Sequence, residues 1–252
     1  MENIALPNKI DFKKGDSANS GHVSIEPLYI GYGMTLGNSL RRVLLSSLPG
    51  AAVIGVKIKG ADHEFMALPN IQEDVLEIIL NLKELRLKVH SDEEIKLELH
   101  VSGKKKVTAK DIEKNSDVEI INSDLKIAEI TDAKGSLDME IIVSAGRGYK
   151  LTETNKKEAK DLGYLEIDSV FSPVVEVSLK VENVRVGKMT NWDKLVLDIT
   201  TDGTMSFEEA FNDSVNILVN QFSSLLPKEK EAKKSTSKDS SKKSEENKKD
   251  KK

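Results

Sequence analysis

The chain has 252 residues, which is enough to bury a sizeable core, and 38% hydrophobic with 32% charged residues is typical of a globular protein. It contains no cysteine, which excludes disulfides, thiolate metal sites and a cysteine nucleophile. The formal net charge of -4 is uneven, because residues 228–252 hold eleven lysines against six acidic residues, a charge of +5 that leaves -9 on residues 1–227. An acidic body does not favour broad binding of nucleic-acid phosphates.

The two ends of the chain lack the patterns of membrane insertion and of a packed core. The N-terminal residues have no apolar run that resembles a signal peptide, and no stretch approaches the ~20 apolar residues of a membrane span. We therefore expect a soluble cytoplasmic protein with no membrane partner. Residues 227–252 are rich in lysine and serine and almost free of apolar side chains, which predicts a disordered tail.

The first predicted helix spans residues 35–47. Thr35 is its expected N-cap, and Leu48-Pro49-Gly50 ends it. The apolar residues that recur at helical spacing are Leu36, Leu40, Val43 and Leu44. Arg41 and Arg42 are adjacent within this helix. They are either ordinary helix arginines with stems along the apolar face, or planar cations that bind a carboxylate on another chain.

Two further helices are indicated downstream. The second is predicted over residues 71–82, with Asn70 as its cap and Glu73 as a capping-box glutamate. The third is predicted over residues 206–226, with a capping box formed by Ser206 and Glu209. Its apolar residues recur every three or four positions and comprise Phe207, Phe211, Val215, Leu218, Phe222 and Leu225. This face either covers a sheet of its own chain or contacts a partner.

Alternating apolar and polar residues predict strands in five segments. They lie near residues 54–58, 95–101, 137–143, 175–181 and 195–199. Strands with one buried and one hydrated face are typical of antiparallel sheets. Long runs of strands between few helices favour an α+β fold over a doubly wound one.

Two glycine-rich segments have some features of phosphate-binding loops but lack their spacing. Gly31, Gly33 and Gly37 follow a predicted strand and open a helix, but the third glycine comes one residue too late for a dinucleotide-binding turn. A tight turn followed by a glycine that permits close helix packing explains them better. Residues 146–150, GRGYK, lack P-loop spacing and are predicted to be a loop or bulge after a strand that ends near Ser144. The four histidines show no ligand-like spacing.

Several ordered segments resemble the alpha subunit of bacterial-type DNA-directed RNA polymerase. They are GYGMTLGNSLRRVLLSSLPGAAV from Gly31, IQEDVLEIILNLKELRLKV from Ile71, AGRGY from Ala145, FSPV from Phe171 and DKLVLDITTDGTMSFEEAF from Asp193. Together they cover nearly all of residues 20–226. The resemblance implies a dimerisation domain of an antiparallel sheet with two packed helices, formed by residues 1–49 and 175–226. It also implies an inserted, mostly β domain with one helix at residues 50–174.

The resemblance also implies the function and its partners. Such a chain is a non-catalytic subunit of the nucleotidyltransferase that transcribes DNA, and its homodimer assembles the beta and beta-prime subunits. The implied contact residues for those subunits are Arg41, Arg42, Lys83, Arg147, Tyr149 and Pro173. The implied dimer interface comprises Leu36, Leu40, Leu44, Phe211, Val215, Leu218, Phe222 and Leu225.

No catalytic residue, cofactor or metal is expected in this chain, because the family's Mg²⁺ and Zn²⁺ belong to other subunits. Members of the family typically continue into a small DNA-binding domain, and we expect the lysine-rich tail in its place, with at most weak and non-specific contact with DNA. A nucleoid-associated cytoplasmic protein is implied. The sequence leaves two alternatives open: an alpha-like subunit that works as a heterodimer, and a nucleotide-binding enzyme that uses the Gly31–Gly37 turn.

Overall fold

A computed structural model describes residues 4–91, 93–152 and 163–226. The predicted tail at residues 227–252 lies outside the described residues. The chain divides after Leu218 into two units, and the described part of the second unit is the end of a helix and the residue after it. No helix in the described part of the chain is both long and apolar enough to cross a membrane.

The described residues form helices and antiparallel strands, so the α+β prediction is confirmed. The α-helices are α1 (Tyr32–Ser46), α2 (Val75–Lys83) and α3 (Phe207–Leu225), and a 3-10 turn covers Ala109–Asp111. The strands of the first half are β1 (Lys9–Lys14), β2 (Ser20–Leu28), β3 (Pro49–Ile58), β4 (Leu87–Val89), β5 (Ile95–Ser102), β6 (Lys105–Thr108) and β7 (Val118–Ile120). The strands of the second half are β8 (Lys126–Ile130), β9 (Ser136–Arg147), β10 (Tyr149–Lys150), β11 (Tyr164–Glu166), β12 (Ser169–Val170), β13 (Val174–Val186) and β14 (Met189–Thr201).

One four-stranded sheet has the order β1-β2-β14-β13, and α1 packs against β13 and β14. The buried residues of α1 recur at helical spacing and are Gly33, Gly37, Leu40 and Leu44. The glycines allow a close approach to the sheet: a Cβ atom added to Gly37 would lie 2.1 Å from Leu179 Cδ1. The prediction that Gly37 permits close helix packing is confirmed. Phe207 and Phe211 of α3 belong to the same apolar cluster.

The other four-stranded sheet has the order β11-β3-β9-β5, and α2 is part of its apolar core. Shorter antiparallel pairs accompany it: β4 with β7, β6 with β8, and β10 with β12. The buried face of α2 comprises Val75, Ile78, Ile79 and Leu82. The apolar cores of the two sheets are separate clusters. The domain boundaries given above stay a prediction.

The predicted starts of α1 and α2 were wrong, for two different reasons. Helix α1 begins at Tyr32, and Thr35 lies in its first turn, where its hydroxyl donates to the carbonyl oxygen of Gly31 at 3.2 Å instead of capping the helix. Helix α2 begins at Val75, and its cap is Asp74, which accepts from the N–H of Glu77 at 2.7 Å. The four residues before that cap cannot be helical, because Asn70 has a φ of 63° and Ile71 forms a bridge with Ile130.

The strand predictions need two corrections of detail. Val175 does not share the buried face of β13 but is exposed, because a register shift between Val174 and Glu176 reverses the alternation at that point. Strand β9 does not end near Ser144 but continues to Arg147, paired with Pro49 of β3. All nine strand pairings described are antiparallel. The described residues therefore lack the parallel sheet that a dinucleotide-binding turn requires.

Candidate functional site

Helix α1 presents two cations on its exposed side. Leu40 and Leu44 fix the helix, since their side chains are 6% and 0% exposed beneath it. Arg41 and Arg42 are both exposed, and neither forms an ion pair with another described residue. Their positions about 100° apart let both reach outward from one rigid element. This arrangement can accept a carboxylate from another chain in two-point hydrogen bonds.

The loop after β9 lies beside the C-terminal end of α1. Gly148 has a φ of 67°, and a Cβ atom added to it would lie 3.3 Å from the carbonyl oxygen of Ser46. The carbonyl oxygen of Gly148 accepts from the N–H of Phe171 at 2.8 Å. The structure thus brings together the end of α1, exposed Arg147 and the FSPV turn, which are far apart in the sequence.

The FSPV turn is packed tightly against the start of β3. A Cβ atom added to Gly50 would lie 1.9 Å from the carbonyl oxygen of Phe171 and 3.4 Å from Cδ of Pro173. The phenyl ring of Phe171 fills the space beside Gly146, where an added Cβ atom would be 2.8 Å away. Pro173 was predicted as a contact residue, and the structure places it in a buried position within its own chain.

Lys83 and Tyr149, two predicted contact residues, share one carboxylate. Asp168 accepts from the N–H of Thr152 at 2.9 Å. That hydrogen bond, with smaller contributions from the Lys83 charge and the Tyr149 hydroxyl, holds the pKa of Asp168 below its usual value. Desolvation and the negative charge of Asp168 raise the pKa of Tyr149. Lys83 ends α2, Tyr149 begins β10 and Asp168 precedes β12, so groups from three elements act on the Asp168 carboxylate.

Asp168 was missed by sequence reasoning. Its neighbours in the sequence form no recognisable motif, and its partners are 16 or more positions away along the chain. Asp168 can be identified only from the pairing of β10 with β12. In that pairing Tyr149 lies opposite Val170, and Lys150 lies opposite Ser169. No pattern within a single segment contains this register.

The predicted dimer-interface residues fall into three classes of exposure. Three of them are buried in the core of their own chain: Leu40, Leu44 and Phe211. Val215 and Leu218 are partly buried against that core. Leu36, Phe222 and Leu225 are 38%, 61% and 78% exposed. Each of these last three is an exposed apolar side chain that a second chain can contact.

A group with metal-ligating atoms lies elsewhere, on the outer side of β5. Among the described residues, Glu98, His100 and Glu113 offer ligand atoms within 4.8 Å of one another, and all three are exposed. His100 Nδ1 lies 3.1 Å from Asp138 Oδ1 and its Nε2 lies 3.2 Å from Glu98 Oε2. These two hydrogen bonds raise the pKa of His100. The group is explained as an imidazole hydrogen-bonded between the carboxylates of Asp138 and Glu98.

The described elements therefore define an α+β protein with an inserted sheet and a surface of unpaired arginines. Residues 56–172 match the family model described as the RNA polymerase Rpb3/RpoA insert domain. The chain is 47% identical over 223 residues to the DNA-directed RNA polymerase subunit alpha of Macrococcus caseolyticus, which covers 88% of this chain and 71% of that protein.

Two further relatives carry the same name. The Oceanobacillus iheyensis protein is 47% identical over 223 residues, with 88% of this chain and 71% of the relative covered. The Carboxydothermus hydrogenoformans protein is 52% identical over 199 residues, with 79% and 63% covered. The chain belongs to the family of DNA-directed RNA polymerase alpha subunits.

Proposed function

We propose that this chain is a non-catalytic assembly subunit of DNA-directed RNA polymerase, which forms a homodimer and recruits the beta and beta-prime subunits. The observation that carries the proposal is the exposed pair Arg41 and Arg42 on α1, a helix fixed by a buried face. An unpaired guanidinium on a rigid element is preorganised to bind a carboxylate, so little conformational entropy is lost on binding.

The insert supplies the second part of the proposed contact surface. Lys83, Arg147 and Tyr149 are exposed, and Tyr149 presents an aromatic ring of the type found at interface hot spots. Pro173 is proposed to act from its buried position, by holding the turn that lies beside Gly50. Beta and beta-prime are the proposed partners of this surface, and no nucleotide, metal or cofactor is assigned to this chain.

Self-association is proposed through the exposed apolar residues of α1 and α3. Leu36, Phe222 and Leu225 would leave water when two copies meet, and burial of apolar area stabilises such a contact by roughly 25 cal/mol per Å². In a two-fold dimer the same patch of each copy meets its equivalent. Leu40, Leu44 and Phe211 support this interface from beneath, because they form the core on which the helices rest.

The test compares Arg42→Ala with a matched exposed arginine, Arg185→Ala, located on β13. Light scattering should give a dimer mass for the wild type and for both variants. In a pull-down with purified beta subunit, Arg42→Ala should bind about tenfold more weakly or worse, the scale expected for truncation of an interface arginine. Arg185→Ala should bind like the wild type. Equal binding by all three proteins would contradict the assigned role of Arg42.

A further inference from the structure

The start of α1 is capped by a residue from another element. Asp193 of β14 is only 7% exposed, and its Oδ2 accepts from the N–H of Gly31 at 2.9 Å and of Gly33 at 3.0 Å. The first turn of α1 contains no acidic residue, and Gly31 has no side chain with which to cap it. A carboxylate at this point satisfies two unpaired donors and complements the positive end of the helix dipole.

Close packing holds the same contact from the other side. A Cβ atom added to Gly33 would lie 3.0 Å from Asp193 Oδ2 and 2.9 Å from Val181 Cγ1. The helix start therefore lies directly on β13 and β14 with no space for a bridging side chain. Among the described residues, Asp193 alone has a side chain that accepts hydrogen bonds from the backbone N–H groups at this helix start.

The turns that Asp193 holds present an uncharged surface. No Asp, Glu, Lys or Arg occurs between residues 29 and 40. Four large hydrophobic or aromatic side chains are exposed here: Ile30, Tyr32, Met34 and Leu36, at 43%, 38%, 52% and 38%. Two copies of this surface can meet without like-charge repulsion, which suits a second copy of the chain as the occupant.

We propose that Asp193 is a positioning residue for self-association, which orders the first turn of α1 for contact with a second copy of the chain. The inference rests on the homodimer proposed above. Without the carboxylate, the two N–H groups lose their acceptor and the first turn frays. Dimer formation must then order that turn, and the lost conformational entropy reduces the affinity of the two copies for each other.

An optical reporter lies next to the cap. Trp192 is the only tryptophan of the chain. Its ring makes an edge contact with Tyr29 at a centroid distance of 5.8 Å, and Tyr29 makes a similar contact with Tyr32, the first residue of α1, at 6.2 Å. Fraying of the helix start should loosen these contacts and shift the emission of Trp192 towards longer wavelengths.

The experiment measures the dimer dissociation constant by sedimentation equilibrium for three cap variants and one control. Asp193→Ala removes the acceptor and should weaken the dimer about tenfold with a red-shifted Trp192 emission. Asp193→Asn keeps one side-chain oxygen and should remain within about threefold of the wild type. Asp193→Ser keeps a side-chain oxygen but places it on a shorter side chain, so it should weaken the dimer less than Asp193→Ala does. This variant keeps the test informative if Asp193→Ala does not fold. The control Ile127→Val destabilises a different apolar cluster from the one that holds α1, and it should leave the dissociation constant unchanged.

The dissociation constants distinguish the positioning role of Asp193 from the homodimer itself. Weaker dimers for Asp193→Ala or Asp193→Ser, with a wild-type constant for Ile127→Val, support a positioning role. Unchanged dimers for Asp193→Ala and Asp193→Ser alike, or an equal loss in Ile127→Val, overturn it while the homodimer stands. A wild-type chain that is monomeric at all concentrations overturns the homodimer itself, and the positioning role with it.

Discussion

The backbone of Gly50 lies against the carbonyl oxygen of Phe171, and a Cβ atom at Gly50 would approach that oxygen to 1.9 Å. The contact joins the first residues of β3 to the turn that contains Pro173, beside the pairing of Pro49 with Arg147. A short backbone contact of this kind cannot relax by side-chain rotation. It therefore fixes the FSPV turn relative to the two long strands that lead to the proposed contact surface.

Gly50→Ala should accordingly lower the free energy of unfolding by about 2 kcal/mol or more, because the backbone of the turn must shift to accommodate the methyl group. Urea denaturation measures the loss. The control is Gly187→Ala, in which an added Cβ atom meets nothing within 4 Å and only the φ of 61° is unfavourable. A loss for Gly50→Ala no larger than that for Gly187→Ala would show that the turn is free to move.

Glu73 should make the free energy of unfolding depend on pH in the acidic range. Its carboxylate is buried, which raises its pKa, but the ammonium of Lys126 at 2.7 Å and the N–H of Glu129 at 2.7 Å outweigh that effect and leave the pKa below its usual value. A lowered folded-state pKa contributes stability that is present above the unfolded pKa and is lost as the pH falls through the folded pKa.

Glu73→Gln should therefore be less stable than the wild type at pH 7 by about 1–2 kcal/mol, with Lys126 partly exposed and screened by water. The difference should shrink as the pH falls below the usual pKa of a glutamate. Thermal unfolding at a series of pH values measures both effects, and Glu119→Gln, an exposed position on β7, is the matched control. A difference that is constant with pH would contradict the assigned role of the Glu73 carboxylate.

The start of α3 depends on a reciprocal cap. Ser206 Oγ accepts from the N–H of Glu209 at 3.2 Å, and Glu209 Oε2 accepts from the N–H of Ser206 at 3.0 Å. Ser206→Ala should lower the free energy of unfolding by about 1 kcal/mol. Ser224→Ala, at the end of the same helix, removes a hydroxyl that donates back to the carbonyl oxygen of Gln221, and it should cost less. Chemical denaturation of the pair measures the difference, and equal losses would argue against the cap.

The carboxylate shared by Lys83 and Tyr149 should organise the insert part of the contact surface. Asp168→Asn removes the charge, so the pKa of Tyr149 should fall relative to the wild type and binding of the beta subunit should weaken by about two- to fivefold. NMR titration of the tyrosine ring and a pull-down measure the two effects. Asp117→Asn, an exposed site before β7, should change neither quantity. If the pKa of Tyr149 were the same in Asp168→Asn and the wild type, the Asp168 charge would not act on Tyr149.

Local patterns predicted the fold wherever the deciding contacts are local. The capping box of α3 and its helical stripe are confirmed by the structure, as are the five alternating segments that became β3, β5, β9, β13 and β14. Helix α1 was placed three residues late because its cap, Asp193, lies 160 positions beyond Gly33 along the chain. Helix α2 was placed four residues early because Ile71 pairs with Ile130 instead of continuing a helix.

The candidate site was predictable to a smaller extent than the fold. The resemblance pointed to Arg41, Arg42, Lys83 and the loop at Arg147, and the structure places these four in exposed positions. It could not separate Leu36, which is exposed, from Leu44, which is buried, because both belong to one apolar stripe and only packing against a sheet distinguishes them. Asp168 and Asp193 escaped prediction because isolated carboxylates acquire a role only from distant backbone donors.

The most direct test of the proposed function is native mass spectrometry of the chain mixed with purified beta subunit. A homodimer that recruits beta through one of its two equivalent surfaces should give a complex of two copies of this chain with one beta subunit. Arg42→Ala should leave the free dimer peak and remove most of the complex. A complex with one copy of the chain per beta subunit, or a complex of undiminished intensity with Arg42→Ala, would contradict the proposal.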